Sequence, residues 1–301
     1  MFHSRIAPGG DASLAAPGGN APVLNAMSVD IEDWFQVGAF ENTIRRADWD
    51  GLEHRVEANT DAVIALFERC GVKATFFTLG WVGERYPKLM RRIVDAGHEL
   101  ASHGYDHARV FTMSPDEFRA DIARTRAILE DASGRAVTGY RAPSFSIDQR
   151  TPWAHEILAE EGYAYSSSVA PLRHDHYGWA DSPRFAWRPV KGAELIELPV
   201  TVAVIGPKRI ATGGGFFRLL PRALTTHAVR TVNADRRPAI FYFHPWDMDP
   251  DQPRVAHAPL RSKLRHYPRL AAMAGKLEAL MRDHHWGRTD RVAATEAART
   301  P

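Results

Sequence analysis

The chain has 301 residues, 45% hydrophobic and 25% charged, which suffices for one large domain or two small ones around a sizeable core. Its net charge of +2, from 38 basic and 36 acidic residues, gives no electrostatic case for nucleic acid or an anionic membrane as partner. The lone cysteine, Cys70, excludes an internal disulfide and any cysteine-based zinc site. No apolar run reaches the roughly 18 residues of a bilayer-spanning helix, so no integral membrane segment is expected.

Residues 1–20, rich in Gly, Ala and Pro, read as a disordered leader without the apolar core of a signal peptide, and the cytoplasm is the expected compartment. Short apolar strands then alternate with amphipathic helices. Pro22 to Ile31 reads as a strand ending in Asp30, Glu32 and Asp33. Asn59 or Thr60 is expected to cap a helix that Gly71 stops. Ala74 to Gly80, dense in β-branched and aromatic residues, reads as the next strand. A helix opens at Pro87 and closes at Gly97, and the strand after it delivers Ser102-His103-Gly104-Tyr105-Asp106-His107. Ser114-Pro115-Asp116-Glu117 is a capping box for a helix to about Asp131. Ala136 to Tyr140 is a strand delivering Arg141-Ala142-Pro143, Trp153 to Glu161 is helical, and Tyr163 to Ser168 is a strand. A long loop covers 171–194. Leu195 to Val200 is a strand, Gly213-Gly214-Gly215 a turn without phosphate-loop spacing, and Leu219 to Asn233 a helix. Ala239 to Phe243 is the last apolar strand, delivering His244-Pro245-Trp246-Asp247. Tyr267 to His284 reads as the closing helix and 287–301 as a disordered tail. The folded domain is thus expected over 21–286.

Strands alternating with helices imply parallel strands joined by crossovers, hence an α/β sheet or barrel whose active residues gather at the carboxyl ends of strands. Four strands here end in side chains fit for catalysis. His103 and His107 can grip one divalent cation through two nitrogens, and a carboxylate is needed as third ligand. In an extended chain Asp30 and Glu32 share one face, which favours one as base and the other as ligand, while Asp33 is the rival ligand if the backbone turns. Arg141, before a stiff Ala-Pro, is placed to pair with a site carboxylate and keep it ionised. His244 is a candidate general acid. Trp246 is either core or a platform for a sugar ring. His174 and His176 are a second, lesser pair of candidate ligands.

With these residues in hand the chain resembles the polysaccharide deacetylases with a NodB-type catalytic domain, over about residues 24–270. Ser102 to His107 matches that family's His-x-x-x-His motif, and Arg141-Ala142-Pro143-Ser144 its Arg-x-Pro-Tyr with Ser144 in place of Tyr. Tyr242-Phe243-His244 answers to Leu-x-His, and Ser28 to Phe35 replaces the usual Thr-Phe-Asp-Asp-Gly. The longer strings Val29 to Phe35, Tyr140 to Ile147 and Phe241 to Arg254 resemble the subgroup linked to exosortase and PEP-CTERM exopolysaccharide loci, with a subgroup-specific extension from about residue 200. The resemblance implies an irregular (β/α) barrel of about seven strands. It also implies a divalent metal, zinc foremost, on His103, His107 and one acid, with Glu32 favoured over Asp33. Asp30 would be the base, secured by Arg141; His244 would protonate the departing amine, and the Ser144 N–H would serve the oxyanion. The expected substrate is an N-acetylated polysaccharide or oligosaccharide, met in the cytoplasm or at the inner face of the membrane. No counterpart of the family's Asp-and-Trp motif, which supports the catalytic His, is evident around Ser166–Ser168. A glycoside hydrolase, a metal amidase acting on small non-sugar amides, and a non-catalytic carbohydrate-binding protein are the competing readings. Oligomeric state is not legible.

Overall fold

The structure, a computed structural model, describes residues 21–174 and 177–300. The expected leader at 1–20 and His176 of the second candidate metal pair lie outside the described residues.

Strand β1 (Asn25–Ile31) is buried along its whole length because it pairs on both edges. Strands β2 (Thr75–Thr78), β3 (Glu99–Ser102), β4 (Gly139–Tyr140), β5 (Tyr165–Ser166) and β6 (Ile196–Glu197) follow it in parallel, in that spatial order. After a small antiparallel hairpin, β7 (Val202–Ile205) and β8 (Lys208–Ala211), strand β9 (Ile240–Phe243) returns to the other edge of β1, and β10 (Trp286–Gly287) joins at its start. The N–H of Thr201, just past β6, donates to the Ile240 carbonyl and brings the two edges of the sheet together. The result is a curled, mostly parallel half-barrel with helices outside, the expected (β/α) barrel.

The period of two along each strand sorts side chains into two layers. Met27, Val29, Ile31, Phe76, Phe241 and Phe243 face outward into the main core. There they meet helix α1 (Val56–Cys70) through Val63, Leu66 and Phe67. Ala26, Phe77, Ala101, Tyr165 and Tyr242 fill the barrel interior. Ser28, Asp30 and Glu32 continue the inward face of β1, so the polar groups that follow it aim into the mouth of the barrel.

Helices α2 (Gly80–Arg85), α3 (Pro87–Asp95) and α4 (Pro115–Ser133) form next, α4 behind the Ser114 capping box read from the sequence. Gly71, at φ 65°, ends α1 as expected. The start of α1 departs from expectation: it begins at Val56, not Asn59, because its cap comes from far along the chain, in Asp33. Helices α5 (Ala154–Glu160), α6 (Gly214–Leu219) and α7 (Arg222–Ala234) follow. Gly213 and Gly214 are not a free turn: they open α6 against the ring of Tyr242, which a Cβ on Gly213 would meet at 2.5 Å. The closing helix expected from Tyr267 begins only at Met273, as α9 (Met273–Asp283), because Pro268 cannot continue a helix; a separate short helix, α8 (Leu260–His266), precedes it.

The expected disordered tail is instead folded. Helix α10 (Thr289–Ala297) plugs the bottom of the barrel, with Val292 and Ala293 joining the interior cluster. Its first amides meet polar groups already buried there: Thr289 N–H donates to Thr75 Oγ1 at 2.7 Å and Asp290 N–H to Glu99 Oε2 at 3.1 Å. A polar-looking tail orders because the open barrel end needs both apolar cover and donors.

Candidate active site

Side chains from four separated stretches meet at the carboxyl ends of β1, β3, β4 and β9, in a cavity of about 510 Å³. Among the described residues one group could hold a metal ion: Glu32, His103 and His107, whose ligand atoms lie within 4.8 Å of one another.

The histidine loop is rigidly placed. His103 N–H extends the β2–β3 pairing by donating to the Thr78 carbonyl at 3.0 Å. Its ring Nδ1 lies 2.8 Å from the Arg141 carbonyl, so Nδ1 carries the hydrogen and Nε2 is left with a lone pair toward the cavity. Gly104, at φ 72°, makes the turn, and a Cβ there would lie 3.1 Å from Asp121. The first amides of α2 hold the loop from outside, Gly80 and Trp81 donating to the carbonyls of Gly104 and Tyr105. Asp121 of α4 accepts the Tyr105 N–H at 3.1 Å. His107 sits at φ 63°, a left-handed conformation that few non-glycine residues adopt.

The two rival acids are separated by their surroundings. Glu32 sends Oε2 to within 2.8 Å of His107 Nε2, while Oε1 accepts the indole N–H of Trp246 at 3.0 Å. Burial alone would raise its pKa; the charge and hydrogen bond of His107, with His244 and His103 behind, bring it down to about 2. Asp33 points the other way. Its carboxylate accepts the N–H groups of Arg55 and Val56 at 2.8 and 3.0 Å, and that of Trp34 at 2.9 Å, and so caps α1. Asp33 is not brought to the cluster, and the backbone does turn after the strand, but away from the histidines.

Asp30, buried beside the cluster, accepts Arg141 Nη1 at 2.6 Å. The same nitrogen reaches Ser28 Oγ at 2.8 Å, and the guanidinium is completed by the Ser167 carbonyl and hydroxyl, both at 3.0 Å. Each of the three nitrogens of this fully buried guanidinium thus donates to an acceptor, which a desolvated cation requires. Ser167 and Ser168, in the stretch where no support for a histidine was evident, hold Arg141 and the Ala142 N–H. Ser144 lies at the cavity wall at φ 54°, followed by Phe145 at φ 49°.

His244 is supported from within its own turn. Asp247 Oδ2 lies 3.0 Å from His244 Nδ1 and accepts the His244 N–H at 3.1 Å, and its other oxygen pairs with buried Arg218. Burial opposes the charged imidazole, but the hydrogen bond to Asp247 and the charges of Glu32, Asp247 and Asp30 raise it to about 9. Asp247 and Arg218 escape the sequence reading. For Asp247 the i,i+3 spacing in a turn opened by Pro245 is a local signal; for Arg218 there is none. Trp246 is core: His244 covers one face at 4.6 Å and His266 the other at 4.5 Å, so no face is left for a sugar ring. His174 stacks on Tyr177 at 4.3 Å instead of joining a metal group.

The model of the family described as polysaccharide deacetylase matches residues 49–166, which carry His103, His107, Arg141 and Ser144. Over that stretch, less than half of the chain, this protein is similar to the polysaccharide deacetylases. Residues 167–294 match a domain of unknown function, DUF3473, and this second stretch supplies Arg218, His244 and Asp247. Asp30 and Glu32 precede both, so the site is assembled across the boundary of the two matches. Over 113 residues the chain is 31% identical to a peptidoglycan deacetylase from Helicobacter pylori, covering 38% of each protein. Over 98 residues it is 34% identical to a peptidoglycan-N-acetylglucosamine deacetylase from Bacillus cereus, covering 32% of this chain and 36% of that one. The chain therefore spans well under half the length of these relatives. A crystal structure from Mycobacterium smegmatis, provisionally assigned as a polysaccharide deacetylase, shares the fold at TM-score 0.62 and 21% identity, over 97% of both chains.

Proposed function

We propose that this protein is a metal-dependent N-deacetylase that removes acetyl groups from an amino-sugar-containing polysaccharide or its precursor and releases acetate. The convergence of His103, His107 and Glu32 beside the Arg141-bound Asp30 carries this reading. The residues fit the metal the family implies: two imidazoles and one carboxylate suit zinc, His103 is oriented through its far nitrogen, and Trp246 engages one Glu32 oxygen while the other faces His107. A divalent ion held there would supply Lewis acidity, making water a nucleophile near neutral pH and polarising the acetamide carbonyl.

The chain's own groups divide the remaining work. Asp30, paired with Arg141, takes the proton of the attacking water. The backbone N–H of Ser144 serves the oxyanion as charge develops on the carbonyl oxygen. His244, steadied by Asp247, gives its proton to the sugar amine as the C–N bond breaks. The names of the relatives support an N-acetylated sugar polymer as substrate, and the resemblance over Val29 to Phe35, Tyr140 to Ile147 and Phe241 to Arg254 supports a place in exopolysaccharide synthesis. The test is acetate release from N-acetylated oligosaccharides, with and without chelator, alongside metal content. Chelator-sensitive acetate release supports the reading; chain shortening without acetate, or glycan binding indifferent to chelator, overturns it.

A further inference from the structure

Helix α8 and its flanks carry a feature that this chemistry does not use. From Gln252 to Leu270 the sequence holds Arg254, Arg261, Lys263, Arg265 and Arg269 and not one Asp or Glu, in a chain whose charges otherwise nearly balance. Within that run Leu260 and Leu264 are 71% and 60% exposed. Four residues apart on a helix, they stand side by side on one face. Arg254, His257, Arg261 and Arg269 are exposed in the same run. The opposite side of the same helix, through Ser262, Arg265 and His266, lines the active-site cavity.

Whole-chain charge argues against an anionic membrane, but association is decided by the local field within about a Debye length, ~10 Å at 0.1 M salt. Two adjacent exposed leucines in a cationic run with no acid match an interfacial element. The apolar side chains enter the acyl boundary and the cations meet headgroup phosphates. A protein groove would account for the leucines but not for a run of five cations without an acid.

We propose that the Leu260/Leu264 face of α8 docks on an anionic lipid surface, holding the cavity behind the helix close to glycan presented there. Only what is presented there rests on the deacetylase reading; the docking is measured without turnover.

The full chain is sedimented with vesicles of phosphatidylcholine alone and of phosphatidylcholine mixed with phosphatidylglycerol, at low and high salt. Binding is expected to the mixed vesicles only and to weaken as salt rises. Leu260→Gln with Leu264→Gln should reduce it by about tenfold or more, and Arg261→Gln with Arg269→Gln should reduce both it and its salt dependence. The leucine variant should keep its melting temperature and its activity on soluble oligosaccharide, since neither side chain is packed. Failure to bind the mixed vesicles, or binding that survives loss of both leucines, overturns the proposal. So does a solution dimer that the leucine variant dissolves, because a second copy would then be the occupant.

Discussion

Asp247 Oδ2 lies 3.0 Å from His244 Nδ1, three residues back along the same turn. The arrangement fixes the ring and leaves Nε2 toward the cavity, where Glu32 Oε1 is 3.7 Å away. His244→Gln should cut kcat by about 10²–10⁴-fold, the usual scale for a general acid. Asp247→Asn should cut kcat less but also lower the melting temperature, because it strips buried Arg218 of its carboxylate, a loss worth about 3–5 kcal/mol for a buried pair. Steady-state kinetics and thermal melts of the two variants separate catalysis from support. Equal melting temperatures would contradict the assignment.

Glu32 and Asp33 are neighbours with opposite duties, and substitution should show it. Glu32→Gln should lose bound metal with little change in stability. Asp33→Ala should keep the metal and lose at least the ~0.5–2 kcal/mol of a helix cap, since three backbone amides go unpartnered. Metal analysis and urea unfolding of the two purified variants check this pair of outcomes.

Asp30 touches Arg141 and not the metal group, so its loss should spare metal binding. Asp30→Asn is expected to lower kcat by about 10²–10⁴-fold at unchanged metal content. Normal turnover in that variant would remove Asp30 from the mechanism.

Stability should fall in mild acid through a residue far from the catalysis. His98 is buried against Phe67 and Phe76, and its Nδ1 accepts the Ala74 N–H at 3.0 Å, a bond open only to the neutral ring. Burial, with Lys73 and Arg288 nearby, holds its pKa down to about 4 from 6.5. Between those values the unfolded chain takes up a proton that the folded chain refuses. The stability is thus whole above pH 6.5 and is lost as pH falls toward 4. From pH 7.5 to pH 5 the loss is about 2 kcal/mol. His98→Asn, whose side-chain oxygen can accept the same N–H, should flatten this part of the profile in urea titrations.

Much of this site is legible in the sequence. Asp30, Glu32, His103, His107, Arg141 and His244 each end an apolar strand, and the alternation of strands with helices implies that those ends lie together. Local patterns carried that far because period-two burial, the Ser114 cap and the glycine stop at Gly71 act over a few residues. Whatever depends on partners distant in the chain was out of reach. The α1 cap comes from Asp33, 23 residues before Val56; the cover on Trp246 comes from His266; the base of His244's support comes from Arg218.

By itself, then, the amino-acid order determined a parallel α/β barrel and the chemical cast at its mouth, because both follow from periodicity and from which side chains close each strand. Only the tertiary structure decided between Glu32 and Asp33, seated Trp246 in the core, supplied Asp247 and Arg218, and turned a polar tail into the plug of the barrel. Each of those outcomes hangs on where a buried donor or acceptor finds its mate, and pairing across tens to hundreds of residues leaves no mark in local sequence.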